Sequence, residues 1–169
     1  MNALSRPEIP ELDPLLDLKL ERVVDVPPAL IWKCWTQPEH LVHWFTPTPW
    51  KTMDCRIDLR PGGEFYTKME GPNGEVHEGA GCYLGLMENE YLSWTNALEP
   101  GFRPASKAEG CGDFFFTAHL FLFAEGTGTR YIAIAQHATA DESKTHKDMG
   151  FEDGWGAVLT QLVEYSKGI

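Results

Sequence analysis

The chain predicts an α+β domain, in which a curved antiparallel sheet of about six to seven strands wraps a long C-terminal helix. Three observations predict it. Residues 148–167 carry Phe151, Trp155, Val158, Leu159 and Leu162 on one helical face, with mostly polar residues opposite. Segments at 51–59, 64–70, 75–87, 91–96, 114–124 and 129–138 read as strands separated by turn residues. Two short tryptophan-rich helices follow a first strand at 17–26. A meander of that size curls, and a helix at its end belongs on the concave side.

Each element has a local reason. Residues 1–16 form an extended arm, because prolines at 7, 10 and 14 forbid a helix while Ile9, Leu12, Leu15 and Leu16 can dock. Leu18, Leu20 and Val23 are the apolar positions of the first strand. Pro27 and Pro28 end it and open a short helix bearing Leu30, Ile31, Cys34 and Trp35. Thr36-Gln37-Pro38-Glu39 has the capping-box pattern and starts a second helix with Leu41, Trp44 and Phe45. In the next strand Met53, Cys55, Ile57 and Leu59 alternate with polar residues. Arg60-Pro61-Gly62-Gly63 and Gly71-Pro72-Asn73-Gly74 are turns. Gly79, Gly81 and Gly85 let the strand at 75–87 bend. Residues 97–113 form a long loop able to act as a lid, and 140–147 a polar linker into the last helix. Gly154 and Gly156 flank Trp155. Each costs about 1 kcal/mol against alanine, a cost that closer approach of another backbone would explain. Gly168 suits a left-handed helix stop.

Composition excludes several functions. A formal net charge of −11 without basic clusters argues against nucleic acid and anionic membrane partners. No apolar run reaches the ~20 residues of a membrane span, and the proline-bearing start lacks a signal peptide's apolar stretch, so the expected location is cytoplasmic. Cysteines at 34, 55, 82 and 111 show no CxxC spacing, and the histidines no ligand spacing. No metal and no cofactor is expected.

Val26-Pro27-Pro28 through Ile31-Trp32 and Trp35-Thr36, Pro38-Glu39-His40-Leu41 with Trp44, Asp58 to Gly63 with Phe65, Gly128-Thr129-Arg130 and Gly154-Trp155 occur in an order that resembles the START-like (SRPBCC) superfamily and its helix-grip fold. Within it the chain looks like homologues of the activator of heat-shock-protein ATPase, grouped with polyketide cyclase-like proteins. The resemblance covers roughly residues 17–167, so the expected domains are the arm at 1–16 and one START-like domain at 17–169. It departs at Gly85, where relatives often carry glutamate, in the long loop at 97–113, and in the added arm. The resemblance implies a cavity between sheet and C-terminal helix that holds a lipid-, polyketide- or aromatic-like molecule.

The side chains that could line such a cavity are Trp44, Phe45, Trp50, Phe65, Tyr83, Trp94, Phe116, Tyr131, Trp155 and Leu159, because aromatic rings give an apolar pocket area and shape. Tyr83 and His119 are the catalytic candidates, as isolated acid–base groups. Binding of a small apolar molecule is the first reading. A cyclase- or lyase-type enzyme acting on such a molecule is the second, and a co-chaperone-like interaction module the third. In residues 114–124, Phe116, Ala118, Leu120 and Leu122 can face inward, which puts His119 outside with Phe115, Phe121 and Phe123. A one-residue slip would exchange the faces, so periodicity leaves the choice open. A sheet with one wet face should be polar outside. Those phenylalanines therefore call for cover by the arm or by a second subunit, and a homodimer is the expectation.

Overall fold

The computed structural model describes residues 5–108 and 114–169. β1 (Asp17–Val24) leads into α1 (Pro28–Thr36) and α2 (Pro38–Leu41). Then follow β2 (Lys51–Ile57), β3 (Glu64–Glu70), β4 (Val76–Met87) and β5 (Tyr91–Thr95). A small ribbon of β6 (Leu98–Glu99) and β7 (Arg103–Pro104) precedes β8 (Phe116–Glu125) and β9 (Gly128–His137). The chain ends in α3 (Ala140–Asp148) and α4 (Phe151–Ser166). The main sheet has seven antiparallel strands in the order β1-β9-β8-β5-β4-β3-β2, so β1 and β2 are its edges.

Several tight turns are set by the backbone itself. A Cβ on Gly63 would lie 1.9 Å from the Asp58 carbonyl oxygen, and one on Gly128 would lie 2.1 Å from that of Val24. Gly62 and Gly74 have φ near +82° and +83°, the left-handed region that favours glycine. Next to Gly128, the fully buried Thr129 donates its hydroxyl to the Val26 carbonyl at 2.6 Å, fixing the exit of β1.

The concave face carries the core. Leu20, Phe65, Tyr83, Leu92, Leu120, Leu122, Tyr131 and Ala133 of the sheet pack against Ile31, Trp35 and Trp44 of the helical pair and against Phe151, Leu159 and Leu162 of α4. This fixes the register of β8: Leu120 and Leu122 point in, and His119, Phe121 and Phe123 point out. On the convex face Tyr91, Phe121, Ile132 and Ile134 form a second cluster against which Leu12 of the arm packs. Arg6 donates to the Leu122 carbonyl at 2.8 Å and sits over the Phe123 ring, 3.8 Å from its centre. The arm is thus one cover for the apolar outer face, and cation–ring contact lets a charged residue provide it.

Several local expectations are corrected. A bulge between Thr52 and Asp54 shifts the alternation of β2, so Thr52 and Cys55 are buried while Met53 is exposed. Val23 points to solvent, and Val24 packs inward instead. The capping box at Thr36 does not form, because its hydroxyl donates to the Trp32 carbonyl and Gln37 becomes the cap of α2. The polar linker at 140–147 is the helix α3. Its cap is Thr139, whose hydroxyl accepts from the Glu142 N–H. The left-handed residue of the C-terminal region is Gly150 between α3 and α4, not Gly168. Part of the loop at 97–113 is the β6–β7 ribbon; residues 109–113, with Cys111, lie outside the described residues, as do residues 1–4 of the arm.

Candidate binding interior and a histidine pair

α4 is held unevenly. In its second half Leu162 is fully buried, and the Gln161 amide donates to the carbonyls of Trp44 and Thr46 at 3.0 and 2.9 Å. Its oxygen accepts from the Thr48 N–H, and the His40 ring bonds the Tyr165 hydroxyl at 2.7 Å. The first half has no side-chain cap at Gly150, and it holds Gly154 and Gly156. Nothing lies within 4 Å of where a Cβ would stand on either glycine. The expected close backbone approach is therefore absent, and the two glycines leave open space beside Trp155. Gly154→Ala and Gly156→Ala should each raise stability by about 0.5–1 kcal/mol, read as a higher urea midpoint. A loss would mean that the space is occupied.

Between helix and sheet the rings form a chain of contacts. Trp35 meets Trp44 at 4.9 Å between ring centres and Phe45 at 5.8 Å; Phe45 meets Phe65 at 5.7 Å. Phe65 meets Tyr83 at 5.4 Å and Trp94 at 5.1 Å; Trp94 meets Phe116 at 5.3 Å, and Phe116 meets Trp155 at 6.4 Å. Trp44, Phe45, Phe65, Tyr83, Trp94, Phe116, Tyr131, Trp155 and Leu159 of the expected lining all belong to this interior. Trp50 does not: it stacks on His77 at 5.2 Å, near the β3–β4 turn. Among the described residues these rings pack against one another across the interior. Concavities of about 210 and about 240 Å³ lie elsewhere, one beside Asn96 and Glu99 and one beside Pro49 and Glu70.

Polar groups in this packed interior stand out. Tyr83 is buried, and its hydroxyl has no hydrogen-bond partner among the described residues. Burial drives its pKa upward, so it is a neutral O–H donor. The Trp35 N–H makes no well-formed hydrogen bond either, although the indole lies near enough to Tyr131 to bear on its hydroxyl. Cys34 and Cys55 are buried thiols, pushed up to about 11 and about 12 by desolvation, so neither is a thiolate nucleophile.

His119, the other catalytic candidate, lies on the convex face, where the inward setting of Leu120 and Leu122 puts it; it is bonded to the Tyr91 hydroxyl at 2.8 Å and to the Gln136 oxygen at 2.7 Å. Two other histidines stand at the Trp155 end. His137 closes β9, and His146 lies on α3; their rings are joined by a 2.8 Å hydrogen bond. His146 packs against Phe114, Phe116, Phe151 and Trp155. Its place was readable from Thr139-x-x-Glu142, the capping-box spacing that starts α3. Burial, with His137 nearby, drives its pKa down to about 4.

A seven-stranded sheet gripping a C-terminal helix over an aromatic interior defines a helix-grip protein of the START-like (SRPBCC) superfamily. The chain belongs to the family described as Activator of Hsp90 ATPase homolog 1-like protein, whose model matches residues 25–167. Among solved structures it is similar to protein NE0264 from Nitrosomonas europaea, with 44% identity, coverage of 93% of this chain and 97% of that one, and a TM-score of 0.87. It shares its fold with protein Ms6760 from Mycobacterium smegmatis, at 23% identity, 89% and 90% coverage and a TM-score of 0.71. The same holds for the AHSA1-like protein from Aeromonas hydrophila, at 16% identity, 90% and 93% coverage and a TM-score of 0.64. No curated protein matches the chain. Among the described residues, no helix is long and apolar enough to cross a membrane.

Proposed function

We propose that this chain binds a small apolar molecule carrying an oxygen acceptor, held between the concave sheet and α4. The observation that carries the proposal is the Tyr83 hydroxyl, buried among aromatic rings without a partner among the described residues. Leaving such a group unpaired costs about 1–3 kcal/mol, and a ligand oxygen would recover it. The packed interior must open to admit a guest. The weakly capped first half of α4, with its two unpacked glycines, supplies the moving part, while the Gln161 clasp holds the other half. Binding is favoured over catalysis, since Tyr83 is a poor proton donor at neutral pH. The buried hydroxyl also favours a ligand over the co-chaperone role that the family description raises.

The test is Tyr83→Phe. The empty protein should gain about 1 kcal/mol in denaturant unfolding, because an unpaired polar atom is removed. Native mass spectrometry of the purified wild-type chain should reveal a co-purified apolar molecule, and the variant should retain about tenfold less of it. A variant that is less stable than wild type would mean that the hydroxyl already has a partner, and the proposal would fall.

A further inference from the structure

His137 stands at the joint between the arm and the sheet. Asp17 faces Gln136, so one step further out the last residue of β9 meets Leu16, where the arm passes into β1. Two donors of His137 converge on the Leu16 carbonyl, the backbone N–H at 3.1 Å and ring Nδ1 at 2.8 Å. A carbonyl oxygen only accepts, so Nδ1 carries the proton and Nε2 is the acceptor of the neutral ring. The Nδ1 of His146, 2.8 Å away on α3, donates to it. A buried relay thus runs from α3 through β9 to the root of the arm. Beyond that root the arm is lightly held. Among the described residues, no backbone hydrogen bond joins residues 7–12 to the sheet. Arg6 at Leu122 and Phe123, and Leu12 on the outer cluster, hold it there, while Ile9 and Leu15 stay exposed.

We propose that the histidine pair is a latch: His146 positions the His137 ring, that ring fixes the Leu16 carbonyl, and the placement of α3 thereby decides whether the arm stays closed over the convex apolar cluster. A shift of α3 breaks the bond between the rings and frees the His137 imidazole to turn. The root of the arm then loses one of its two ties, and Leu12 lifts from Tyr91, Phe121, Ile132 and Ile134. Three features argue for it. An imidazole bonded through both nitrogens has one orientation, as a second partner fixes the first contact. α3 is joined to the uncapped start of α4 by Gly150 in a left-handed turn, φ +91°, so a small rotation there carries His146 with it. The face that the arm covers is apolar, the kind of surface that proteins keep for partners. The latch stands whether or not the interior takes a guest.

The experiment is amide hydrogen exchange on the full chain at about pH 7. It is read at Leu16 and His137, whose N–H groups are bonded at the root, and at Ile132 and Ile134 of β9 as references. His146→Phe keeps a ring among Phe114, Phe116, Phe151 and Trp155 but cannot donate to His137. Exchange at the two root amides should rise about tenfold, and the reference amides should stay within about threefold of wild type. His146→Asn, whose carboxamide N–H can stand in for the Nδ1–H, should bring the root amides back toward wild type. Coupling is reciprocal, so Leu12→Ala, which loosens the arm, should move the ring-nitrogen resonances of His146. Should His146→Phe fail to fold, that resonance decides the matter alone. Unchanged root amides, a rise spread evenly over β9, exchange in His146→Asn as fast as in His146→Phe, or an unmoved resonance would each overturn the latch.

Discussion

Gly128→Ala should lose about 3 kcal/mol or more of stability, measured as a drop in the urea midpoint at constant slope. The added Cβ would stand 2.1 Å from the Val24 carbonyl oxygen, 3.1 Å from its carbon and 3.2 Å from the Asp25 Cα. All three are backbone atoms, so no rotamer change relieves the clash. β1 must part from β9 where Val24 faces Thr129, and the buried Thr129 hydroxyl must release the Val26 carbonyl. That junction holds β1 to the sheet and sets the start of α1. Gly154→Ala, with nothing within 4 Å of the new atom, is the control from the same residue type. A loss below about 1 kcal/mol in Gly128→Ala would show that the junction is pliable and that β1 can shift to admit the methyl group.

Acid should weaken the fold through His146. Its ordinary pKa near 6.5 falls to about 4 in the folded chain, first from burial and then from His137. The unfolded state therefore binds more protons between these values, so stability is complete above about pH 6.5 and declines as pH drops toward 4. The group's share of that decline is on the order of 3 kcal/mol. His137 of β9 is the titratable neighbour facing it; β8 and its approach present Phe116 and Phe114, and α4 presents Phe151 and Trp155. On α3 itself Glu142 lies one turn earlier, with a buried carboxylate oxygen. His119, also lowered by burial, adds in the same direction. The check is denaturant unfolding of wild type and His146→Gln in steps from about pH 7 to about pH 4.5. The variant should lose less over the series, and parallel curves would remove the claim.

The fold was legible because its strands alternate and its last helix has one apolar stripe. Phe151, Leu159 and Leu162 carry enough area to be read without a structure, and they are the residues that bury. Legibility failed where a local event outranked the pattern. One extra residue in β2 moves Met53 out and Thr52 in, and no periodicity anticipates a bulge. α3 went unread because its buried face is Ser143 and His146, which give no apolar stripe. The aromatic lining was largely visible, but whether rings enclose a space or fill it depends on their rotation, and that is not written in spacing. Trp50 shows the limit: an aromatic just before the first residue of β2 is drawn to His77 instead of the core.

Among the described residues, the sheet is an open ribbon with two unpaired borders, β1 and β2. Such borders invite further copies to add on and grow a filament. Here each border is studded with charge: Lys19, Glu21 and Arg22 along one, Lys51, Asp54 and Arg56 along the other. The kink after Thr52 further spoils the straightness that a growing fibril needs. Charged rims and a kinked border thus work against edge-to-edge addition of a second sheet.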